Sequence, residues 1–350
     1  MPLPPVLPLP PIYLDHAATT PLLPQARAAM EEGFRLWANP SSPHKAGRAA
    51  RAALEQARAR VQAALGWRGE VIFTSGASEA LAIAIGRSAK PLSAVSEVEH
   101  EAVLRLSGAA ARWPVHAGTG LLGDAAEGPQ GLVAIQHANN ETGVIQPLDR
   151  IAAQVRAAGG LLLADCAQTA GKIALPDADL IAVSAHKFGG PIGIGALLVR
   201  DWALLRPTGG QERGYRPGTE NLPGALAMAT ALEAGHDWLT DAAHLRHRLE
   251  AGIVAAGGEV VAAGAPRLAS IGAYRMPGKS ATAQLIRFDG MGIAVSAGSA
   301  CSSGSLKASH VLTAMRCAGA GEVIRVSIGR ETTRAEIDRF LAAWAEVAGA

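Results

Sequence analysis

From about residue 48 to residue 240, short apolar runs alternate with longer stretches in which apolar residues recur every three or four positions. Residues 46–65 interleave alanine, leucine and valine with arginine and glutamate at that spacing, and Gly66 follows, which predicts an amphipathic helix with a stop. Residues 70–74, 94–97, 132–136, 161–164, 180–184 and 195–199 are apolar runs of strand length. Helical patterns begin at Glu79 and cover 101–111 and 148–158. Strand–helix alternation of this kind predicts an α/β fold with a mainly parallel, doubly wound sheet. After about residue 222 the pattern changes. A long alanine-rich helical stretch, 223–256, precedes strands at 270–274, 293–296 and 324–328, with helices at 281–288 and 334–347. The expected division is a large domain over 12–236 and a smaller α+β domain over 237–350, with a proline-rich arm, 1–11, packing on the latter.

The apolar run at 180–183 ends in Ser184-Ala185-His186-Lys187 and then a glycine-rich turn, 189–195. A lysine at a strand end, beside close-approaching backbone, loses solvent, and desolvation frees its amine to form a Schiff base. About 20 residues upstream the run 160–164 ends in Asp165. Pyridoxal phosphate enzymes pair a Schiff-base lysine with an acidic partner for the pyridinium nitrogen, and open α/β sheets place ligands at the carboxyl ends of their strands. Thr74-Ser75-Gly76-Ala77-Ser78-Glu79 joins a strand to a helix, so its amides and hydroxyls suit a phosphate; by itself it reads first as an ordinary turn capped by Ser78. His100 and the segment His137-Ala138-Asn139-Asn140-Glu141 follow two further strands, where an imidazole can stack on a ring and amides can bond a substrate. The segment 209–221 is too rich in glycine and charge to read as core. Cys301 lies among glycine, serine and alanine and so is a candidate exposed nucleophile. Cys166 and Cys317, each beside alanine, read as inert.

Charge and composition mainly exclude. With 32 basic and 30 acidic residues in 350, and no long basic run, nucleic-acid binding has no support. No apolar run reaches the roughly 18–20 residues of a membrane span. The arm is too proline-rich for a signal-peptide helix. Three cysteines give neither a disulfide framework nor paired metal-ligand spacing, so no metal site is expected and a reducing cytoplasm is the simplest location.

In order and spacing, these motifs resemble the pyridoxal-phosphate-dependent cysteine desulfurases of the class V aminotransferase group, the type serving nitrogen fixation and iron–sulfur cluster assembly. The resemblance is nearly full length. It also draws on Tyr13-Leu14-Asp15-His16-Ala17-Ala18-Thr19-Thr20, Asn39-Pro40-Ser41-Ser42, Asp165-Cys166-Ala167-Gln168, Arg216-Pro217-Gly218-Thr219, Gly298-Ser299-Ala300-Cys301 and Ile324-Arg325-Val326-Ser327. It implies a fold-type-I homodimer with pyridoxal 5'-phosphate bound to Lys187. Asp165 would pair the ring nitrogen, Gln168 the ring hydroxyl, and His100 would stack on the ring as an acid–base. Ala77, Ser78, Ser184 and His186 would hold the phosphate, with Thr219 reaching in from a second subunit. Asn140 and Arg325 would grip the carboxylate of L-cysteine, and Cys301 would take its sulfur as a persulfide for an acceptor protein, for cluster assembly or thiolation. Ile192 stands where relatives usually carry lysine, Ser78 where threonine is common, and the tail toward a scaffold partner is short. Alternatives are a related class V activity, such as an aminotransferase or selenocysteine lyase, or a non-catalytic partner on the same fold.

Overall fold

The structure, a computed structural model, describes residues 11–123, 130–298 and 309–349. Its strands, in chain order, are β1 (Ile12–Tyr13), β2 (Glu70–Thr74), β3 (Leu92–Ser96), β4 (Ala111–Trp113), β5 (Leu132–Gln136), β6 (Leu161–Asp165), β7 (Leu180–Ser184), β8 (Gly195–Val199), β9 (Glu259–Val260), β10 (Ile271–Arg275), β11 (Ile293–Ala294) and β12 (Val323–Ser327). Seven of them form the main sheet in the order β2-β8-β7-β6-β5-β3-β4. β5, β7 and β8 are buried along their whole length, as strands covered by helices on both faces must be. All neighbours are parallel except β8, which runs antiparallel to both β2 and β7.

Helices α1 (Pro24–Arg35), α2 (Lys45–Leu65) and α3 (Ala77–Arg87) flank the amino-terminal part of the sheet sequence. The buried residues Ala50, Leu54, Ala57 and Val61 of α2 fall at alternating intervals of four and three, the stripe that the sequence period predicts. α1 and β4 are additions to that reading. The helix expected over 101–111 stops at Leu104, because Ser107 caps the Leu104 carbonyl with its hydroxyl (2.6 Å) and Gly108 turns at φ 49°. The helical stretch expected over 223–256 is two helices, Leu222–Glu233 and Trp238–Ala255, separated at Gly235, which sits at φ 73°.

A second core joins Ile12 and Leu14 to residues of 242–347, including Tyr274, Phe288, Phe340 and Trp344. β9, β10 and β12 form its antiparallel sheet, and β1 pairs in parallel with β11. The segment just after the arm is thus stitched into the carboxyl-terminal unit: Asp15 bridges to Ser327, and Ser327 Oγ accepts from Ala17 N (2.8 Å). Residues 1–10 of the arm lie outside the described residues. Among the described residues no helix is long and apolar enough to cross a membrane.

Candidate active site

β2, β3, β5, β6 and β7 run in one direction, so the segments after them converge at one edge of the sheet. A cavity of about 400 Å³ opens there, a size that suits a small-molecule ligand. Ala77, Ser78, His100, Asn140, Asp165, Gln168, Ser184, His186, Lys187 and Arg325 all line it. Two expected site residues do not join them. Thr219 is exposed and is not among the lining residues, and Cys301 lies outside the described residues.

Lys187 follows β7 in a single 3₁₀ turn, 185–187, and its amine donates to the Ala17 and Ala18 carbonyls (2.7 and 2.8 Å). Asp165 ends β6, the neighbouring parallel strand. It is buried, and although Ala167 N donates to its Oδ1 (2.9 Å), burial raises its pKa above the usual carboxylate range. A carboxylate in that condition is stabilised by a cationic partner. Gln168 donates through Nε2 to Ala17 O (2.9 Å), which leaves its buried Oε1 unpartnered.

The helix start at Ala77 supplies unpaired amides, since its cap, Gly76, has no side chain to satisfy them. Gly76 adopts φ 155°, ψ −179°, a conformation essentially confined to glycine. Gly195 must also be glycine: a Cβ there would lie 2.7 Å from Gly76 Cα and 2.4 Å from Val183 O, so β8 presses directly on the turn. Beside it, His186 bonds Thr19 Oγ1 through Nδ1 (3.2 Å), and burial with the Lys187 and Lys172 charges lowers its pKa to about 4. His186 is therefore neutral at physiological pH.

His100 caps a helical turn, accepting at Nδ1 from Ala102 N (3.1 Å). That bond leaves the proton of the neutral ring on Nε2. Burial lowers the pKa of His100, only partly opposed by Asp165, so the resting ring offers an N–H. The two adjacent asparagines have separate tasks. Asn139 holds the turn, with Oδ1 accepting from Glu141 N and Thr142 N and Nδ2 donating to Val98 O (3.2 Å); Asn140 lines the cavity.

Sequence reading did not assign the partners of Arg325. Its guanidinium donates to Asn140 O (3.0 Å) and to Asp15 Oδ1 (2.7 Å), while Nε is buried without a partner. Glu141 was also unassigned. Its carboxylate accepts from Ser309 Oγ (2.5 Å), and a Cβ on Gly298 would meet Glu141 Oε2 at 1.9 Å. Both described ends of the span that carries Cys301 therefore abut Glu141, next to Asn140. Burial raises the pKa of Glu141 and leaves Cys166 a fully buried thiol with its pKa pushed up, consistent with an inert Cys166.

An amine, a buried carboxylate and a helix start with unpaired amides meet at one cavity of an α/β fold, the arrangement of an enzyme site. A family model described as aminotransferase class-V matches residues 12–340, and the chain belongs to that family. A cysteine desulfurase from Cereibacter sphaeroides is 38% identical, with 94% of each chain covered. An IscS-like cysteine desulfurase from Mycobacterium tuberculosis is 37% identical over the same shares. Among solved structures, a NifS-like protein superposes with a TM-score of 0.88 at 29% identity, covering 97% of this chain and 99% of its own. A structure of SspA in complex with cysteine gives 0.77 at 27% identity, covering 92% and 100%.

Proposed function

We propose that this protein is a pyridoxal-phosphate-dependent cysteine desulfurase that converts L-cysteine to L-alanine and passes the sulfur to Cys301 for an acceptor. The observation that carries the reading is the meeting of Lys187, Asp165, His100 and Arg325 in one cavity beside Glu141, where both described ends of the Cys301 span are held. The residues fit the cofactor, since the unpartnered Gln168 Oε1, the cation-seeking Asp165 and the uncapped start at Ala77 match a ring hydroxyl, a ring nitrogen and a phosphate. When bound, pyridoxal phosphate supplies an electron sink for the electrons released at the substrate α-carbon.

The protein's own residues do the rest. Lys187 would hold the cofactor covalently through its amine. Asp165 would pair the ring nitrogen, and the amides of Ala77 and Ser78, with Ser184 and neutral His186, would hold the phosphate. Arg325 and Asn140 orient the substrate carboxylate. His100 holds a proton at Nε2 ready to move. Cys301 thiolate attacks the substrate sulfur: the S–S bond forms, the C–S bond breaks, and the product carbon later takes up a proton to give alanine.

The homodimer belongs to the same reading, and the exposure of Thr219 in its own chain is compatible with it. The acceptor is a protein able to take a persulfide sulfur, and a reducing cytoplasm suits the free thiol. The test is incubation of the full chain with L-cysteine and a reductant, with alanine and sulfide assayed together. Equal yields are expected, absent in Lys187→Ala, while Cys301→Ala should bind cofactor and lose sulfide. Pyruvate in place of alanine would overturn the reading.

A further inference from the structure

Behind the main cavity lies a second, of about 20 Å³, where four separate stretches of chain meet. Lys172 comes from the segment after β6, His16 from the segment after β1, Ser270 from the entry to β10, and Arg330 from the segment after β12. That volume holds about one particle the size of a water molecule. Ser270, Lys172 and His16 are only 3%, 5% and 6% exposed. Ser270 Oγ and His16 Nδ1 have no hydrogen-bond partner among the described residues. No carboxylate is among the described residues that line the cavity, whereas Lys172, Lys187 and Arg330 all do. Buried charges are normally paired, and here the walls supply cations and neutral donors alone.

We propose that this cavity is a binding site for one small monovalent anion of the chloride class, held by the Lys172 ammonium, the Ser270 hydroxyl and the His16 ring N–H. Each of these groups can donate a hydrogen bond, and an anion needs donors only. A water molecule could serve Ser270 and His16 but would leave the positive end uncompensated. Lys187 is not required as a ligand, since its amine is already engaged by the Ala17 and Ala18 carbonyls. Arg330 donates to Gly235 O (2.7 Å) and adds positive charge to the wall. An anion there joins residues of the main sheet's unit to residues of the carboxyl-terminal unit, and so acts as an internal counter-ion between them.

The surrounding titratable groups set the pH dependence. Lys172 is faced by His16, His186 and Lys187. Burial lowers the pKa of both histidines to about 4, so both are neutral, and a neutral His16 ring can present its proton at Nδ1. The carboxylates that act on His16 are held elsewhere: Asp15 by Arg325 Nη2 (2.7 Å), and Glu336 by Thr333 N and Oγ1 (2.7 and 2.9 Å). Burial first, and the Lys187 charge second, lower the pKa of Lys172 to about 7. The anion pairs with the charged form, so above pH 7 it must bind together with a proton, and its affinity falls as pH rises.

The experiment titrates the full chain with chloride and follows the excess linewidth of the chlorine NMR signal, with gluconate holding ionic strength constant. Wild type should show a saturable component whose half-point needs roughly 30-fold more chloride at about pH 8.5 than at about pH 6, the change in the charged fraction of a group with pKa about 7. Lys172→Met should abolish that component, and Ser270→Ala should weaken it at least roughly tenfold, the effect of one hydrogen bond to a charged group. Absence of a saturable component in wild type would overturn the proposal, as would an equal half-point at both pH values. Chloride binding undiminished in Lys172→Met or in Ser270→Ala would also overturn it. The wild-type pH comparison and Ser270→Ala decide the matter if Lys172→Met does not fold. No turnover is read, so the result is separate from the function proposed above.

Discussion

Arg325 enters the site already engaged, with Asp15 and Asn140 O holding two of its nitrogens. Its fixed, planar fork is what a substrate carboxylate needs, and lysine cannot reproduce it. Arg325→Lys should raise the KM for L-cysteine roughly 10- to 100-fold, the range of one lost charge-assisted hydrogen bond, with a much smaller change in kcat. Steady-state kinetics check this; an unchanged KM would place the carboxylate elsewhere. His137 offers a test by pH. Burial lowers its pKa to about 4, and its Nδ1 lies 3.1 Å from Thr169 Oγ1. The unfolded chain then binds more protons than the fold between pH 6.5 and about 4, so this contribution is complete above 6.5 and is lost as pH falls through that window. The stability advantage of wild type over His137→Gln should shrink by up to about 1.4 kcal/mol per pH unit there, seen in denaturant melts at several pH values. Most cavity-lining residues were legible in the sequence because each follows an apolar strand run, and the strand ends meet. The division of labour between Asn139 and Asn140 was not, since it depends on which side chain turns back to its own loop.

At the scale of elements, direction was the least legible property. β8 is a five-residue apolar run like its neighbours, and a fully buried run carries no alternation to reveal which way it points. The long helical reading after residue 222 failed for a similar reason, since alanine-rich sequence on both sides of Gly235 continues the period across the break. The segment 209–221 gives the opposite lesson. Its glycine and charge read as non-core, yet Glu212 is 3% exposed. It accepts from Arg58 Nη1 (2.7 Å) and from Phe73 N (2.9 Å), so the loop is pinned to α2 and the sheet edge by a buried ion pair. Removing one partner strands the other charge, and Arg58→Ala should cost about 3–5 kcal/mol. Chemical denaturation checks this. A loss under about 1 kcal/mol, the value of a surface pair, would show that the pin is solvated.

Across the whole molecule, the site draws on positions some 300 residues apart. Ala17, whose carbonyl receives the Lys187 amine, is itself placed by Ser327, and Asp15 by Arg325. Ile12 and Leu14 share their hydrophobic core with residues 242–347. The order of synthesis therefore matters. A ribosome delivers the 12–20 segment first, but its partner strands, β11 and β12, emerge only after residue 290. Until then Ile12 and Leu14 have no native surface to cover them, and such exposed segments are where nascent chains aggregate. The main sheet can assemble from its own contiguous strands meanwhile, yet Lys187 must wait for its carbonyl acceptors. A nascent chain stalled before residue 323 should thus carry a formed sheet and an unfinished lysine site, so the capacity to hold cofactor arrives late in translation, with β12.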